Sequence, residues 1–121
     1  MLGSEPQIYF YAKRHSAIGY IYMSGLMEPH KYARQIQIET IHEIEAVRPK
    51  YLISVVMEDS WLARPASNRQ IFGWANQYAA QYYDVAGFVN ITPGKSDYYF
   101  NDVPKALPQL GDYIFIYKRR P

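Results

Sequence analysis

The feature that most constrains the fold is a nearly continuous apolar run over residues 51–57, YLISVVM. Its β-branched residues and its length favour a strand that is covered on both faces, as in the interior of a parallel sheet. Pro49 precedes the run, and the polar residues Glu58, Asp59 and Ser60 follow it at once. The pattern therefore predicts an interior strand that ends in a polar loop.

Two amphipathic helices flank this strand in the sequence. The first is predicted to start at Pro29, which suits the first turn of a helix, and to end near Val47, ahead of Pro49. The second starts with Ser67 and Gln70, which form an S-x-x-Q capping box. Apolar positions recur at spacings of three and four in both: Ala33, Ile36, Thr40, Ile44 and Val47, then Ile71, Ala75, Tyr78 and Tyr82, with Trp74 at the edge.

Further extended runs define the expected sheet. They cover residues 7–13, 17–23, 85–92, 98–100 and 113–117, with a turn at Pro93 and Gly94 and a loop containing Pro104 and Pro108. The run at 7–13 is almost all apolar and is expected to be central. Alternation of strands and helices implies right-handed parallel crossovers. The expected fold is a single α/β domain over residues 1–121, Rossmann-like, with one open mixed sheet, parallel core strands, an antiparallel edge and two main helices.

Composition narrows the classes of function. A chain of 121 residues with 49% hydrophobic and 20% charged residues is typical of one folded domain. The net charge is only +2 and no basic stripe runs between the aromatics, so no nucleic-acid partner is expected. The chain has no cysteine, which excludes disulfides, thiolate metal sites and cysteine nucleophiles. No apolar run approaches the ~20 residues of a membrane span.

Catalytic and metal-binding motifs are missing from the sequence. Glu39 and His42 form one E-x-x-H, but a di-iron site needs two copies and further glutamates. His42 is not followed by the second histidine of H-E-x-x-H, and no glycine-rich phosphate loop or G-x-S-x-G elbow occurs. We therefore expect no catalytic residue, no metal and no cofactor in this chain.

The loop after the apolar run carries the candidate site. Ligands of open α/β sheets bind beyond the carboxyl ends of the strands. Adjacent carboxylates there could raise one pKa for acid–base chemistry, or both could simply be solvated. An indole and a guanidinium could form a sugar-binding surface, or the tryptophan could close the core. The candidate substrate-binding residues are Glu5, Glu58, Asp59, Ser60, Trp61, Arg64 and Asn68.

Several short segments resemble a known family. They include residues 3–12 (GSEPQIYFYA), 16–22 (SAIGYIY), 43–46, 48–52 (RPKYL), 60–62 (SWL) and 71–74 (IFGW). Together they resemble the soluble segment that follows the last membrane helices of bacterial glycosyltransferases in the superfamily of dolichyl-phosphate-mannose–protein mannosyltransferases and aminoarabinose transferases. The resemblance covers roughly residues 3–91. The segment at 97–102 matches only loosely.

The resemblance implies an origin and a role. Such enzymes move a sugar from a polyprenyl-phosphate carrier to a protein or lipid acceptor on the extracytoplasmic (periplasmic) face of the bacterial inner membrane. Their catalytic carboxylate lies in the membrane portion, so no catalytic residue is carried over. This chain would be a fragment of such a protein, partnered by its membrane portion and helping to bind the acceptor, a glycan or the polyprenyl-linked sugar. The short stretch before the first predicted strand agrees with a fragment.

Two alternatives remain open on the residues alone. The chain could be a stand-alone α/β module that binds a sugar or phosphate through Trp61, Arg64 and Asn68. It could also be a protein-interaction domain, since tyrosine supplies 13 residues of the chain and suits half-wet surfaces and interfaces.

Overall fold

A computed structural model describes residues 1–19, 22–100, 102–104 and 111–121. Four α-helices and four strands follow one another within these ranges: α1 (Gln7–Ala12), α2 (Ala33–Val47), β1 (Tyr51–Val56), α3 (Glu58–Trp61), α4 (Gln70–Tyr82), β2 (Tyr83–Thr92), β3 (Lys95–Phe100) and β4 (Asp112–Arg119). A 3-10 turn occupies Ser24–Met27.

The four strands form one sheet in the order β1-β4-β2-β3, and every neighbouring pair is antiparallel. The predicted parallel-core, Rossmann-like sheet is therefore wrong. The sequence pattern located the four strands of this sheet but carried no information on which strands pair. β4 comes from the end of the chain and inserts between β1 and β2, so it is an interior strand and not the predicted edge. β2 and β3 form a hairpin through the predicted turn, where Gly94 has φ 76°.

β1 lies at the margin of the sheet, which corrects its prediction as an interior strand. Leu52 and Val55 are buried, while Tyr51 and Val56 are 39% and 40% exposed. On the outer side of β1, Leu2 makes a single parallel bridge to Ser54. The run is continuously apolar because Leu2 and the segment after β1 cover it, and not because two strands flank it.

The two N-terminal strands were also predicted wrongly. Residues 7–12 form helix α1, which follows Pro6 and places Phe10 and Tyr11 at 78% and 80% exposure. A nearly all-apolar run of this length has no alternation that could separate a short helix from a buried strand. In the second run, Ala17–Gly19 and Met23 form bends. Tyr20 and Ile21, within that run, lie outside the described residues.

Both main helices form, but α2 begins at Ala33 and not at Pro29 as predicted. α2 buries Ala33, Thr40 and Ile44 of its predicted face, although Val47 is 57% exposed. α4 begins at Gln70, but Ser67 does not cap it. Instead, the amide N–H of Gln70 donates to Asn68 Oδ1 at 3.0 Å. The expected capping box is therefore wrong: Asn68 accepts the first amide of α4, and the N-cap residue Arg69 makes no side-chain cap.

A buried glutamine joins three parts of the core. Gln37 of α2 has no exposed surface, and its Nε2 donates to Leu26 O at 3.0 Å and to Asn68 O at 2.7 Å. Its Oε1 accepts the N–H of Ile71 at 3.1 Å. A buried amide is tolerated only when its polar atoms are bonded. Gln37 therefore fixes α2, the 3-10 turn and the start of α4 against one another.

Candidate functional site

Trp61, the predicted sugar platform, lies inside the protein. It is 7% exposed, its indole Nε1 donates to Val55 O at 2.8 Å, and its ring packs edge-on against Phe72 at 4.7 Å. The indole therefore closes the core above β1, which was the structural alternative for this residue. Its polar atom bonds the backbone of its own domain and not a group that faces solvent.

Ser60 and the start of the chain are joined by a backbone contact. The N–H of Ser4 donates to Ser60 Oγ at 2.7 Å, and Ser60 is buried. Glu5 lies in the same N-terminal segment and its Oε2 accepts from Gln7 Nε2 at 2.9 Å. Both predicted site residues thus make contacts that hold the N-terminal segment.

Arg64 and Asn68 also have structural partners. Arg64 pairs with Glu28 at 3.1 Å, with half of each side chain exposed, so the pair contributes about 0–1 kcal/mol. The Asn68 side chain accepts from the first amide of α4. Asp59 is exposed in the first turn of the four-residue helix α3. None of these three side chains lines either of the two clefts described below.

One cleft does include two of the seven predicted residues. Glu58 and Trp61 line a space of about 580 Å³ beyond the end of β1, together with Arg69 and Asn76 of the α4 region and Asp112 of β4. We call it the strand-end cleft. Its position agrees with the predicted location of the site, but only Glu58 among the predicted polar side chains reaches it. The substrate-binding role of the predicted residues stays a prediction.

A second cleft, which the sequence did not indicate, lies between α2, α4 and the end of β4. It has a volume of about 510 Å³. We call it the helix cleft. Its lining is aromatic, amide and charged: Glu45, Arg48, Trp74, Gln77, Tyr78, Gln81, Tyr82 and Arg119. It therefore places hydrogen-bonding side chains directly beside aromatic rings.

The aromatic wall of the helix cleft is a stacked pair on α4. Trp74 and Tyr78 are one helical turn apart, and their rings lie 4.9 Å apart at an angle of 20°. Trp74 is half-buried, and its Nε1 donates to Glu45 Oε1 of α2 at 2.8 Å. This bond fixes the indole orientation across the two helices and leaves part of the ring in the cleft.

Arg119 forms the polar end of the cleft and is held by tyrosines. Its Nη1 donates to the hydroxyl oxygens of Tyr78 at 3.1 Å and Tyr83 at 3.4 Å, and its guanidinium lies 5.0 Å from the Tyr82 ring centre. The hydrogen bond to Tyr83, followed by that to Tyr78, raises the pKa of Arg119 above its usual value. Burial raises the pKa of Tyr83, although Arg119 opposes the shift. The cleft thus has a fixed positive charge among tyrosine hydroxyls.

Arg48 reaches the cleft from a strained position. It ends α2 with φ 51° and ψ 61°, and its N–H donates to Ile44 O at 3.0 Å. The left-handed conformation costs an ordinary residue roughly 1–2 kcal/mol and is usually taken by glycine. Arg48 thus contributes to the lining of the cleft from a backbone conformation that costs stability, a conformation that the helix ends at Lys13 and Leu62 also adopt.

The arrangement is suited to binding a polyhydroxylated molecule. Two exposed amides, Gln77 and Gln81, lie one turn apart on α4 beside the aromatic pair, and two guanidinium groups flank them. The sequence feature that could have indicated the helix cleft is this pair of amides at positions i and i+4 next to Trp74. The periodicity had assigned Trp74, Tyr78 and Tyr82 to a packing face, which hid the cleft.

Comparison with known protein families, curated proteins and solved structures found no match to the chain. Within the described ranges, no group of three or more histidine, aspartate and glutamate residues could hold a metal ion. In the same part of the chain, no helix is both long enough and apolar enough to cross a membrane.

Proposed function

We propose that this chain is a non-catalytic, carbohydrate-binding accessory domain of a membrane glycosyltransferase. The observation that supports binding is the lining of the helix cleft, where a stacked Trp74–Tyr78 pair lies beside Gln77 and Gln81. Aromatic rings can pack against the C–H face of a sugar, while amides and guanidinium groups match its hydroxyls. Pockets that bind small molecules combine an apolar wall with a few such polar groups.

We infer that the helix cleft binds a ligand without catalysing a reaction, because its lining lacks a pair of carboxylates. Glycoside chemistry generally uses two carboxyl groups on either side of the scissile bond, roughly 5–10 Å apart. Among the described residues that line the helix cleft, Glu45 is the one carboxylate, and the Trp74 indole already donates to it. The cleft thus supplies recognition and no acid–base pair.

The proposed parent enzyme rests on the sequence resemblance. Segments such as RPKYL and SWL resemble the soluble part of glycosyltransferases that use polyprenyl-phosphate sugars. A carbohydrate-binding domain next to the membrane portion would hold the acceptor or the sugar near the catalytic loop, on the extracytoplasmic face. The proposal assigns the chemistry to the membrane portion and recognition to this domain.

The carbohydrate site is tested by two neighbouring substitutions on α4. Gln77→Ala removes an amide from the helix cleft, whereas Asn76→Ala removes one from the strand-end cleft. Both residues are exposed, so both variants are expected to fold. Calorimetric titration with neutral mono- and disaccharides is expected to show binding that Gln77→Ala weakens about fivefold, through one lost hydrogen bond of about 1 kcal/mol. Equal weakening by Asn76→Ala, or no binding to the unsubstituted chain, would contradict a carbohydrate site in the helix cleft.

The parent enzyme is tested at the level of the gene. The reading frame that encodes this chain is expected to encode membrane-spanning helices upstream. An alkaline phosphatase fused to the end of the chain in that frame is expected to be active, since alkaline phosphatase works only outside the cytoplasm. A frame without upstream spans would remove this part of the proposal and leave the carbohydrate site intact.

A further inference from the structure

Arg119 in the helix cleft is held in place from several directions. Its backbone N–H donates to Lys50 O at 2.8 Å, and its Nη1 donates to the hydroxyl oxygens of Tyr78 at 3.1 Å and Tyr83 at 3.4 Å. Tyr83 donates its own O–H to Pro49 O at 2.6 Å. Both tyrosines are buried. The fold itself therefore positions the guanidinium of Arg119, so a ligand that binds it would cost little side-chain entropy.

The tyrosines use only part of this guanidinium. An arginine side chain carries five N–H groups in a planar fork. The contacts to Tyr78 and Tyr83 both use Nη1 of Arg119. Within residues 1–19, 22–100, 102–104 and 111–121, Nε and Nη2 of Arg119 have no hydrogen-bond partner. These two nitrogens form one side of the fork, and that side can bind a planar carboxylate through two parallel bonds.

The lining of the helix cleft has an excess of positive charge. Arg48 is exposed and supplies a second guanidinium, and among the described residues neither Arg48 nor Arg119 belongs to an ion pair. Glu45 is the one carboxylate among the described lining residues, and its hydrogen-bond partner is the neutral indole of Trp74. The lining thus has two guanidinium groups against one carboxylate. One negative charge on a ligand would balance it.

The strand-end cleft has the opposite charge. Its lining includes the carboxylates of Glu58 and Asp112 against the guanidinium of Arg69. Both clefts offer aromatic rings and at least one exposed amide, so the types of side chain overlap while the charge differs. A carboxylate on a ligand is attracted to the helix cleft and repelled by the strand-end cleft. Charge is therefore the property that distinguishes the ligands suited to the two clefts.

We propose that the helix cleft selects a sugar that carries one carboxylate, as a uronic acid does. The carboxylate binds Nε and Nη2 of Arg119 and is attracted by Arg48, while the exposed amides of α4 bond the ring hydroxyls beside the stacked aromatic pair. A phosphate ester fits less well, because its second charge would stay unneutralised in a cleft that also contains Glu45. The inference rests on the proposed carbohydrate site and adds the charge of its ligand.

Binding of glucuronate is compared with binding of glucose, which has the same ring without the carboxylate. Each is titrated into the chain while the indole N–H signal of Trp74 is followed by NMR. Glucuronate is expected to bind at least about tenfold more tightly at low salt, because the bond between guanidinium and carboxylate is charge-assisted. Equal binding of the two sugars would overturn the inference and leave the carbohydrate site intact. Binding of neither sugar would contradict the proposed function itself.

Two further ligands test which group the cleft recognises. Acetate supplies a carboxylate without a sugar ring, and glucose 6-phosphate supplies the ring with a phosphate ester. Both are expected to bind more weakly than glucuronate, acetate by about tenfold because it makes no contact with the amides and the aromatic pair. Acetate binding as tightly as glucuronate would show an anion site without sugar recognition. Tighter binding of glucose 6-phosphate would show that phosphate is the preferred group, and either result would overturn the proposal.

Matched variants test whether the two arginines of the cleft carry the selection. Arg48→Gln is expected to reduce the preference for glucuronate over glucose about threefold through lost attraction, and Arg119→Lys about tenfold through the lost fork. Arg69→Gln removes the same charge at the strand-end cleft and is expected to keep the preference within about twofold. An unchanged indole signal of the buried Trp61 shows that each variant is folded. An equal effect of Arg69→Gln, or an unchanged preference in folded Arg119→Lys, would overturn the assignment.

Discussion

The two tryptophans of this chain show how one residue type serves two purposes. Trp61 is 7% exposed and donates its indole N–H to the backbone oxygen of Val55. Trp74 is half-buried and donates to a side chain, Glu45, at the wall of a cleft. The bond of Trp61 satisfies a buried indole N–H, whereas the bond of Trp74 fixes the orientation of a partly exposed ring. Tryptophan is therefore informative about binding only when its surroundings are known.

The same contrast extends to the residues around each indole. Gly3 packs against Val55 and Ser60, and the N–H of Ser4 donates to Ser60 Oγ, so the segment next to Trp61 is tightly packed. Around Trp74, Gln77 and Gln81 are exposed amides that line open space. Trp61 is therefore mainly part of the packed interior, although it also contributes to the strand-end cleft, whereas the helix cleft is the proposed ligand site.

Replacing the two tryptophans gives the largest expected difference. Trp61→Ala is expected to lower the free energy of unfolding by about 3–5 kcal/mol, because it empties a buried site. Trp74→Ala is expected to cost about 1 kcal/mol, because part of its ring is already exposed. Urea unfolding measures both values. Equal losses of stability would break the distinction between the two regions.

Gly3 tests how tightly the Trp61 region is packed. It has φ 150°, and an added Cβ would lie 2.6 Å from Val55 Cβ and 2.9 Å from Ser60 Oγ. Gly3→Ala is expected to destabilise by about 2–3 kcal/mol through overlap and backbone strain. Gly25→Ala is the control, since its added Cβ would meet no atom within 4 Å. A thermal midpoint that falls equally in both variants would contradict tight packing at Gly3.

The two left-handed helix ends allow a finer comparison. Arg48 ends α2 at the helix cleft with φ 51°, and Leu62 ends α3 beside Trp61 with φ 54°. Glycine at either position is expected to stabilise the chain by about 0.5–1 kcal/mol, because it adopts this conformation without strain. Only Arg48→Gly should also weaken saccharide binding, measured by calorimetric titration. Weaker binding in Leu62→Gly would link the Trp61 region to the ligand.

Alkaline titration gives the smallest expected effect. Burial raises the pKa of Tyr83 above its usual value of about 10. The unfolded chain therefore loses this proton first, so the stabilising contribution is complete below about pH 10 and is lost as the pH rises through the folded-state pKa. Tyr83→Phe is expected to reduce the slope of stability against pH in this range. An unchanged slope in urea unfolding would show that Tyr83 does not carry the effect.

Local structure was largely predictable from the sequence, whereas strand pairing was not. The spacing of Ala33, Thr40 and Ile44 located α2, and the β-branched run located β1. Side-chain periodicity depends on the local backbone, and it is equally consistent with parallel and antiparallel partners. The insertion of β4 between β1 and β2 joins distant parts of the chain, and no local pattern records it.

The helix cleft was missed in the sequence for a related reason. Trp61 follows a strand and has polar neighbours, which is the sequence pattern of a ligand-binding loop. In the structure, however, its ring is buried in the core. The helix cleft needs Glu45 and Arg48 of α2, Trp74 of α4 and Arg119 of β4 together. Those elements meet only in three dimensions. The amide pair Gln77 and Gln81 beside Trp74 was visible in the sequence, but the residues that face it across the cleft were not.

The indole N–H signals of the two tryptophans test the central claim most directly. A two-dimensional nitrogen–proton NMR spectrum contains one such signal for each of Trp61 and Trp74. During titration with a neutral saccharide, we expect the Trp74 signal to move with saturation and the Trp61 signal to stay in place. Movement of the Trp61 signal with a stationary Trp74 signal would place the site after β1 and contradict the account.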